Sequence, residues 1–391
     1  MKQHKILLIV SVLFISFSCR DKSPEIWKPE DQKFISTWSQ AFDSFWNGMN
    51  YNYVFWDIDT TDWDQVYEKY SPRFDALGAD FNDESATNEA IRLFTEITST
   101  LVDHHFAITV KDSMIKTPLN EVKKRDYYHK GFDFADFNHF LEVNKASGRI
   151  SNLEGGRSTS QEDLFVFSCK MDDIVYIHFN HFALTELLAA GDENDPAFQG
   201  LDNFFYMLKE ETGLKGVIVD IRQNPGGNAA DMNTFFGNLI ATDHRFLELK
   251  TKNNVGRLDY SPWAPWTIHP QEESVKITAP IVSLADVGSA SMAEITTLAI
   301  KTLPNGHFVG ERTMGATGPL ATPFELYYTG SFSNSIIKVR TSTMASRDLE
   351  GNSYEGIGIT PDIEVRFDAE QYANGVDVQL ERAIQYINTG K

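Results

Sequence analysis

Cysteine is nearly absent from this chain: Cys19 and Cys169 are the 2 in 391 residues. If Cys19 is consumed in processing, Cys169 has no partner, and an intrachain disulfide is excluded. Positive charge is also scarce, with 35 Lys and Arg against 55 Asp and Glu, a formal net charge of −20. Residues 1–18 carry Lys2 and Lys5 and no acid, so the chain from Cys19 onward is about two units more negative. Such a surface repels phosphate backbones and argues against a nucleic-acid partner. The apolar run Ile6–Phe17 is too short to cross a bilayer as a mature helix. Zinc signatures are missing, both H-E-x-x-H and paired-cysteine spacing, as is the G-x-G-x-x-G of a dinucleotide fold. No metal, nucleotide or other cofactor is expected.

What is present begins with an export signal: the basic start MKQHK, the apolar run, then Ser18-Cys19. A cysteine there resembles the bacterial lipobox, which makes Cys19 the lipidation site and the anchor to a membrane of the cell envelope. Ser16 stands where that motif usually has leucine, so plain signal-peptide cleavage is the other reading. In FVFSCKM, Cys169 reads as a buried strand residue with no ligand neighbours at metal spacing.

With 42% hydrophobic residues the chain can bury a sizeable core, as one large domain or two. The reading divides it into a leader (1–18), a polar linker (19–30), a helical N-terminal domain (31–103), a connecting β/loop region (104–170) and an α/β core (171–391). Phe34, Trp38, Phe42, Phe45 and Trp46 share one helical face, which Asn47-Gly48 is expected to end. Further helices are expected over Asp62–Tyr70, with Pro72 just beyond, and from Ser85. Beyond Asp172 strands and helices alternate. Strands are expected at Ile174–Phe179, Gly216–Ile221, Ile281–Asp286, His307–Glu311, Phe324–Tyr328 and Ile336–Thr343. Helices are expected at Phe198–Glu211, Ala229–Ile240, Met292–Leu303 and Glu370–Ile387. The continuous apolar strands GVIVDI and IVSLAD argue for a layered α/β fold.

Ser291, in GSASMAEI, stands where a strand gives way to a helix. Ser291-Met-Ala-Glu294 is a capping box, so Ser291 has a purely structural reading. It also faces the first unpaired N–H groups of that helix, where negative charge is favoured and the Met292 N–H can hold an oxyanion. The second feature is DIRQNPGGN, a turn directly after an apolar strand, whose Gly226-Gly227 lets backbone approach a ligand. It lacks the Lys-Ser/Thr end of a phosphate loop.

Here the chain resembles the tail-specific (C-terminal processing) proteases and the tricorn-core peptidases, one group of serine peptidases. The resemblance rests on DIRQNPGGN, on GSASMAE followed by HFVGERTMG, and on EGIGITPDIEV, in one order over roughly residues 101–366. The aromatic segment FDSFWNGMNYNYVFWDIDTTDWDQVY also resembles bacterial members. The resemblance implies a ClpP/crotonase-like layered β/α core. It makes Ser291 the nucleophile, with the N–H groups of Gly226 and Met292 as oxyanion donors and Gly227 as a substitute. The processing proteases carry a base lysine where this chain aligns Ala316, which disfavours a Ser–Lys dyad. The tricorn-like branch instead uses a histidine, and Leu101-Val-Asp103-His104-His105 places His105 there, with His104 in the position of a helper serine and as the other candidate for the base. Glu355, in EGIGI, matches the family's supporting acid, with Asp348, Glu350 and Asp103 as other candidates. Between Val110 and Leu164 there is no carboxylate-binding loop of a PDZ domain.

The function expected is an exported serine peptidase, either an endopeptidase or a carboxyl-terminal-processing one. It would cleave a polypeptide through a Ser-His(-Glu) acyl-enzyme mechanism. A His base at its reference pKa of ~6.5 would let activity rise through neutral pH. The alternatives are a non-catalytic lipoprotein that binds peptides or apolar ligands on the same fold, and a hydrolase of non-peptide esters.

Overall fold

The computed structural model describes residues 33–210, 213–320 and 330–391. The leader, the linker, Cys19 and the strand expected at Phe324–Tyr328 lie outside the described residues.

Helices α1 (Trp38–Asn52), α2 (Trp63–Asp75) and α3 (Glu84–Thr98) begin where Thr37, Asp62 and Asp83 accept backbone N–H bonds as N-caps. Their apolar faces bury Trp38, Phe42, Phe45, Phe74 and Phe94. Phe34 lies before α1 and is exposed rather than on the buried face. α1 continues through Asn47-Gly48 because the Phe332 ring packs directly on Gly48. Pro72 sits inside the last turns of α2, where the missing N–H interrupts little of the helix that follows. Next come β1 (Ala107–Val110), β2 (Ser113–Ile115), α4 (Thr117–Val122) and α5 (Phe134–Ala146). The chain then makes β3 (Ile150–Arg157), β4 (Phe165–Met171), β5 (Ile174–Phe179), α6 (Leu184–Ala190), α7 (Pro196–Glu210) and β6 (Val217–Asp220). After a π-helical turn at Met232–Phe236 follow β7 (His244–Thr251), β8 (Ala264–Ile268), β9 (Ile281–Ala285) and α8 (Met292–Lys301). The remainder is β10 (Gly306–Gly310), β11 (Phe332–Ser333), β12 (Ile337–Arg340), β13 (Met344–Asp348), β14 (Ile363–Glu364), α9 (Ala369–Ala373) and α10 (Val378–Thr389).

The main sheet has 7 strands in the order β14-β10-β9-β6-β5-β4-β3. It is parallel from β14 to β5, and β4 and β3 add an antiparallel edge. β5, β6 and β9 are buried along their whole length, as their largely apolar sequences require, with His178, Asp220 and Ser283 the buried polar exceptions. Alternate residues face opposite layers. Val217, Val219 and Ile281 pack with Leu201 and Phe204 of α7 and Ile295 and Leu298 of α8. Ile218, Val282 and Leu284 pack with Phe137 and Phe140 of α5 and Leu380 and Ile384 of α10. The result is a layered α/β core.

Three departures from the sequence reading have local causes. Residues 150–157, expected within the connecting region, form β3, which pairs antiparallel with β4, the strand expected at FVFSCKM, and so extends the main sheet. The helix expected over Ala229–Ile240 shrinks to one π turn, because the Asp231 carboxylate is drawn onto the N–H groups of Leu184 and Thr185. The last helix is split into α9 and α10 at Asn374-Gly375, with Asp377 capping the second piece. The N-terminal helices also share their core with distant chain: Phe332, Ile337 and Val339 pack among their aromatics, and β1 lies between β12 and β2. A third sheet, β13-β7-β8, flanks the carboxyl end of the main sheet.

Candidate active site

β6 and β9 are parallel neighbours, so the loops leaving their carboxyl ends meet at one edge, where open α/β sheets place ligands. Hydrogen bonds join these loops. Ser289 Oγ donates to the Ile221 carbonyl (2.8 Å), Ala290 N–H to the Asn224 carbonyl (3.0 Å) and Gln223 Nε2 to Asp286 (2.7 Å). Ser291 follows as the N-cap of α8, with φ 54° and ψ −119°, a backbone region that costs free energy for any residue with a Cβ. Glu294 closes the capping box by accepting the Ser291 N–H at 3.2 Å. The strained serine therefore stands at a helix N-terminus, half-buried and facing the loop after β6.

That loop comes very close. A Cβ on Gly226 would lie 2.6 Å from Ser291 Cβ and 2.8 Å from Met292 N, and one on Gly227 would lie 2.1 Å from the Phe182 carbonyl oxygen. Both residues have positive φ, 98° and 146°, so glycine is required twice over. The Gly226 N–H is already committed, donating to Asn224 Oδ1 at 2.8 Å. Among the described residues the N–H groups of Gly227 and Met292 have no acceptor. The geometry thus moves the second open donor from Gly226 to Gly227.

His105 arrives from a turn ahead of β1. Its N–H donates to Asp103 (2.9 Å), and its ring lies against the Gly318 carbonyl and 3.5 Å from Ser342 Oγ. Among the described residues no hydrogen bond joins the ring to Ser291. The two are held in one neighbourhood by the segment 311–318. His104 Nδ1 contacts the Met314 carbonyl (3.1 Å), and the Met314 N–H donates to the Ser289 carbonyl (3.1 Å). Glu294, beneath Ser291, accepts from Thr313 Oγ1 (2.6 Å), Gly315 N–H (2.7 Å) and Ala316 N–H (2.7 Å). Ala316 is buried in this turn, where its backbone and not its side chain serves the network.

Glu355 does not touch the His105 ring. It accepts from His104 N–H (2.9 Å), Gly318 N–H (2.7 Å) and Thr317 Oγ1 (3.3 Å), so it pins the segments on either side of the imidazole. Asp348 bonds to Asn352 and Tyr354 within its own loop, Glu350 is exposed, and no hydrogen bond joins either to the His105 ring among the described residues. Asp103 is the carboxylate that reaches His105 and its neighbour Ser342.

Burial pushes Asp103 up to about 6 and Glu294 to about 7, and it raises Glu355 well above the carboxylate range, with Asp103 adding repulsion. Burial, followed by Arg340 and His104, holds the His105 ring down at about 4, so it is neutral at pH 7. A value near 6.5, expected for an unperturbed ring, is thereby corrected.

The peptidase family S41 profile matches residues 173–365, and the tricorn protease C1 domain profile matches residues 36–82. Residues 173–365, just under half of the chain, are thus similar to peptidase family S41. It is 27% identical over 193 residues to the tricorn protease of Thermoplasma volcanium, covering 49% of this chain and 16% of that protein. It is 27% identical over 175 residues to the carboxy-terminal processing protease CtpA of Bacillus subtilis, covering 45% of this chain and 33% of that protein. The chain thus spans a third or less of these two relatives. A solved structure from Parabacteroides merdae shares the fold with TM-score 0.64 at 20% identity, over 91% of this chain and 98% of that one. Mature CPAF shares it with TM-score 0.56 at 12% identity, over 90% and 99%.

A cleft of about 690 Å³ opens beside Gly227, walled by Leu249, Ala264, Trp266, Leu320 and Met344. Sequence reasoning missed both this wall, which comes from β7, β8, the start of β13 and the loop at Leu320, and Ser342, which lies 237 positions from His105 in no motif. Asn224 was legible only as part of the glycine turn, although its side chain and carbonyl fix both loops. Among the described residues no group of three His, Cys, Asp or Glu forms a metal site, and no helix is long and apolar enough to cross a membrane.

Proposed function

We propose that the chain is an exported serine-type peptidase that cleaves polypeptides through an acyl-enzyme on Ser291. One observation carries the reading: a strained serine at a helix N-terminus beside two backbone N–H groups, Gly227 and Met292, that have no acceptor among the described residues. Those donors suit the oxyanion of a tetrahedral intermediate. His105, neutral at pH 7, takes the Ser291 Oγ proton as the hydroxyl attacks the peptide carbonyl, a contact that tightens when substrate is bound. The imidazolium then gives its proton to the departing amine as the C–N bond breaks. Water, deprotonated by His105, releases the acyl group and restores Ser291. The apolar cleft beside Gly227 receives a bulky apolar side chain next to the scissile bond.

A fluorophosphonate probe tests this directly. The full chain should be labelled at Ser291 and should cleave casein, and Ser291→Ala should lose both. No labelling, with peptide still bound, supports a carrier on the same fold, and turnover of small esters without casein cleavage supports an esterase. The basic start, apolar run and Ser18-Cys19 support export and an envelope anchor at Cys19. Palmitate incorporation that persists in Cys19→Ala would refute the anchor.

A further inference from the structure

We infer that Ser342 and Asp103 orient the His105 imidazole and fix its tautomer, in the role that the family resemblance gives to Glu355. The inference rests on His105 being the base of the proposed reaction. Glu355 has both oxygens occupied by His104, Thr317 and Gly318. His104 turns its own ring away, onto the Met314 carbonyl. Neither side chain supports His105 through its ring.

Asp103 and Ser342 are both wholly buried and doubly joined. Asp103 Oδ2 accepts the Ser342 N–H at 2.8 Å, and Oδ1 accepts the Ser342 hydroxyl at 2.9 Å. Oδ1 also accepts the His105 N–H at 2.9 Å, so one carboxylate fixes both the backbone that carries the ring and the hydroxyl beside it. Ser342 Oγ lies 3.5 Å from His105 Nδ1 and 3.2 Å from the Gly318 carbonyl. A hydroxyl has a single proton to donate. The shortest of its three contacts is the 2.9 Å one to Asp103 Oδ1, and with the proton held there the oxygen presents only lone pairs to the ring. Nδ1 must then carry the hydrogen, and Nε2 keeps the lone pair that accepts the serine proton. When Nε2 is protonated, the positive charge at Nδ1 is relayed through the hydroxyl to a carboxylate that solvent cannot screen. Arg340, whose Nε donates to the His105 carbonyl at 3.1 Å, and His104 are the other charged or titratable groups facing the ring. Ser342 is a positioning residue, since it acts through His105.

The test is Ser342→Ala in the full chain, with Ser342→Thr as the variant that keeps the hydroxyl and Glu355→Gln as the comparison. Ser342→Ala should lower kcat about 10²-fold while KM changes less than about twofold. Ser342→Thr should recover most of the rate. The ¹⁵N NMR signals of His105 should show the Nδ1–H tautomer in the wild type and a mixture in Ser342→Ala. That spectroscopic readout does not depend on turnover, so it tests the relay even if the chain proves not to be a peptidase. An Nε2–H tautomer in the wild type, a tautomer unchanged in Ser342→Ala, or a kcat that falls only in Glu355→Gln would overturn the inference. Loss of Ser291 labelling in the wild type would instead overturn the peptidase reading.

Discussion

Ser291 and Gly226 constrain each other. The serine holds an unfavourable backbone geometry because the loop after β6 presses on it, and that loop can press so closely only because it carries no Cβ at 226 or 227. The Met292 N–H, the first of the helix, has no acceptor among the described residues. His105 is tuned in the complementary sense. A buried imidazole is disfavoured as a cation, and Arg340 adds repulsion, so its pKa falls to about 4. A base works only in its neutral form. Activity is therefore lost as pH falls through the folded value. Asp103, raised by burial to about 6, protonates before the ring does, so kcat/KM should fall in two steps, near pH 6 and near pH 4, measured across a series of buffers on one peptide. A single limb centred at ~6.5 would mean that His105 titrates like a solvated ring and that burial does not set its affinity for protons.

At the scale of elements, the site is a meeting of loops whose strands were readable and whose partners were not. β6 and β9 are short, mostly apolar and followed by turn residues, so their burial and the position of Ser291 after β9 follow from the sequence. His105 was found through a motif, since no periodicity links a turn before β1 to a helix start 186 positions away. Ser342 and Trp266 had no such signal. Each reaches the site through a sheet outside the main one, and contacts between sheets depend on tertiary packing that local pattern does not encode. The π turn at Met232–Phe236 failed for the same reason, since Asp231 bonds to another helix and not to its own. β8 gives the cleft its wall, with Trp266 held against Phe246 at 5.9 Å between ring centroids. Trp266→Ala should lower kcat/KM for substrates with a bulky apolar residue at the cut by about tenfold, on the scale of apolar pocket contacts. The fluorophosphonate labelling rate, which does not need the cleft, should stay the same. Equal losses on bulky and small residues would place the substrate elsewhere.

The whole molecule is tied together by charge at its centre as well as by its apolar layers. Arg222, next to the glycine turn, is fully buried and pairs with Asp220 of β6 and, from the far end of the chain, with Asp377. Its Nη1 and Nη2 reach Asp377 at 3.0 and 2.7 Å, and its guanidinium stacks on the Phe132 ring at 5.0 Å. Asp377 also caps α10, accepting the N–H groups of Gln379 and Leu380 at 3.1 Å each. One carboxylate thus closes the last helix onto the strand that leads into the candidate site. A buried pair adds little over well-packed apolar groups, but removing one partner leaves an uncompensated charge. Asp377→Asn keeps the shape, halves the charge around Arg222 and weakens the cap. It should destabilise the fold by about 3–5 kcal/mol, read as a lower urea midpoint with an unchanged slope. Glu273→Gln, which breaks an exposed pair with Lys209, should leave that midpoint where it is. If the two variants unfold alike, the central ion pair contributes no more than a surface contact. The apolar layers alone would then hold α10, and with it the floor beneath the glycine turn.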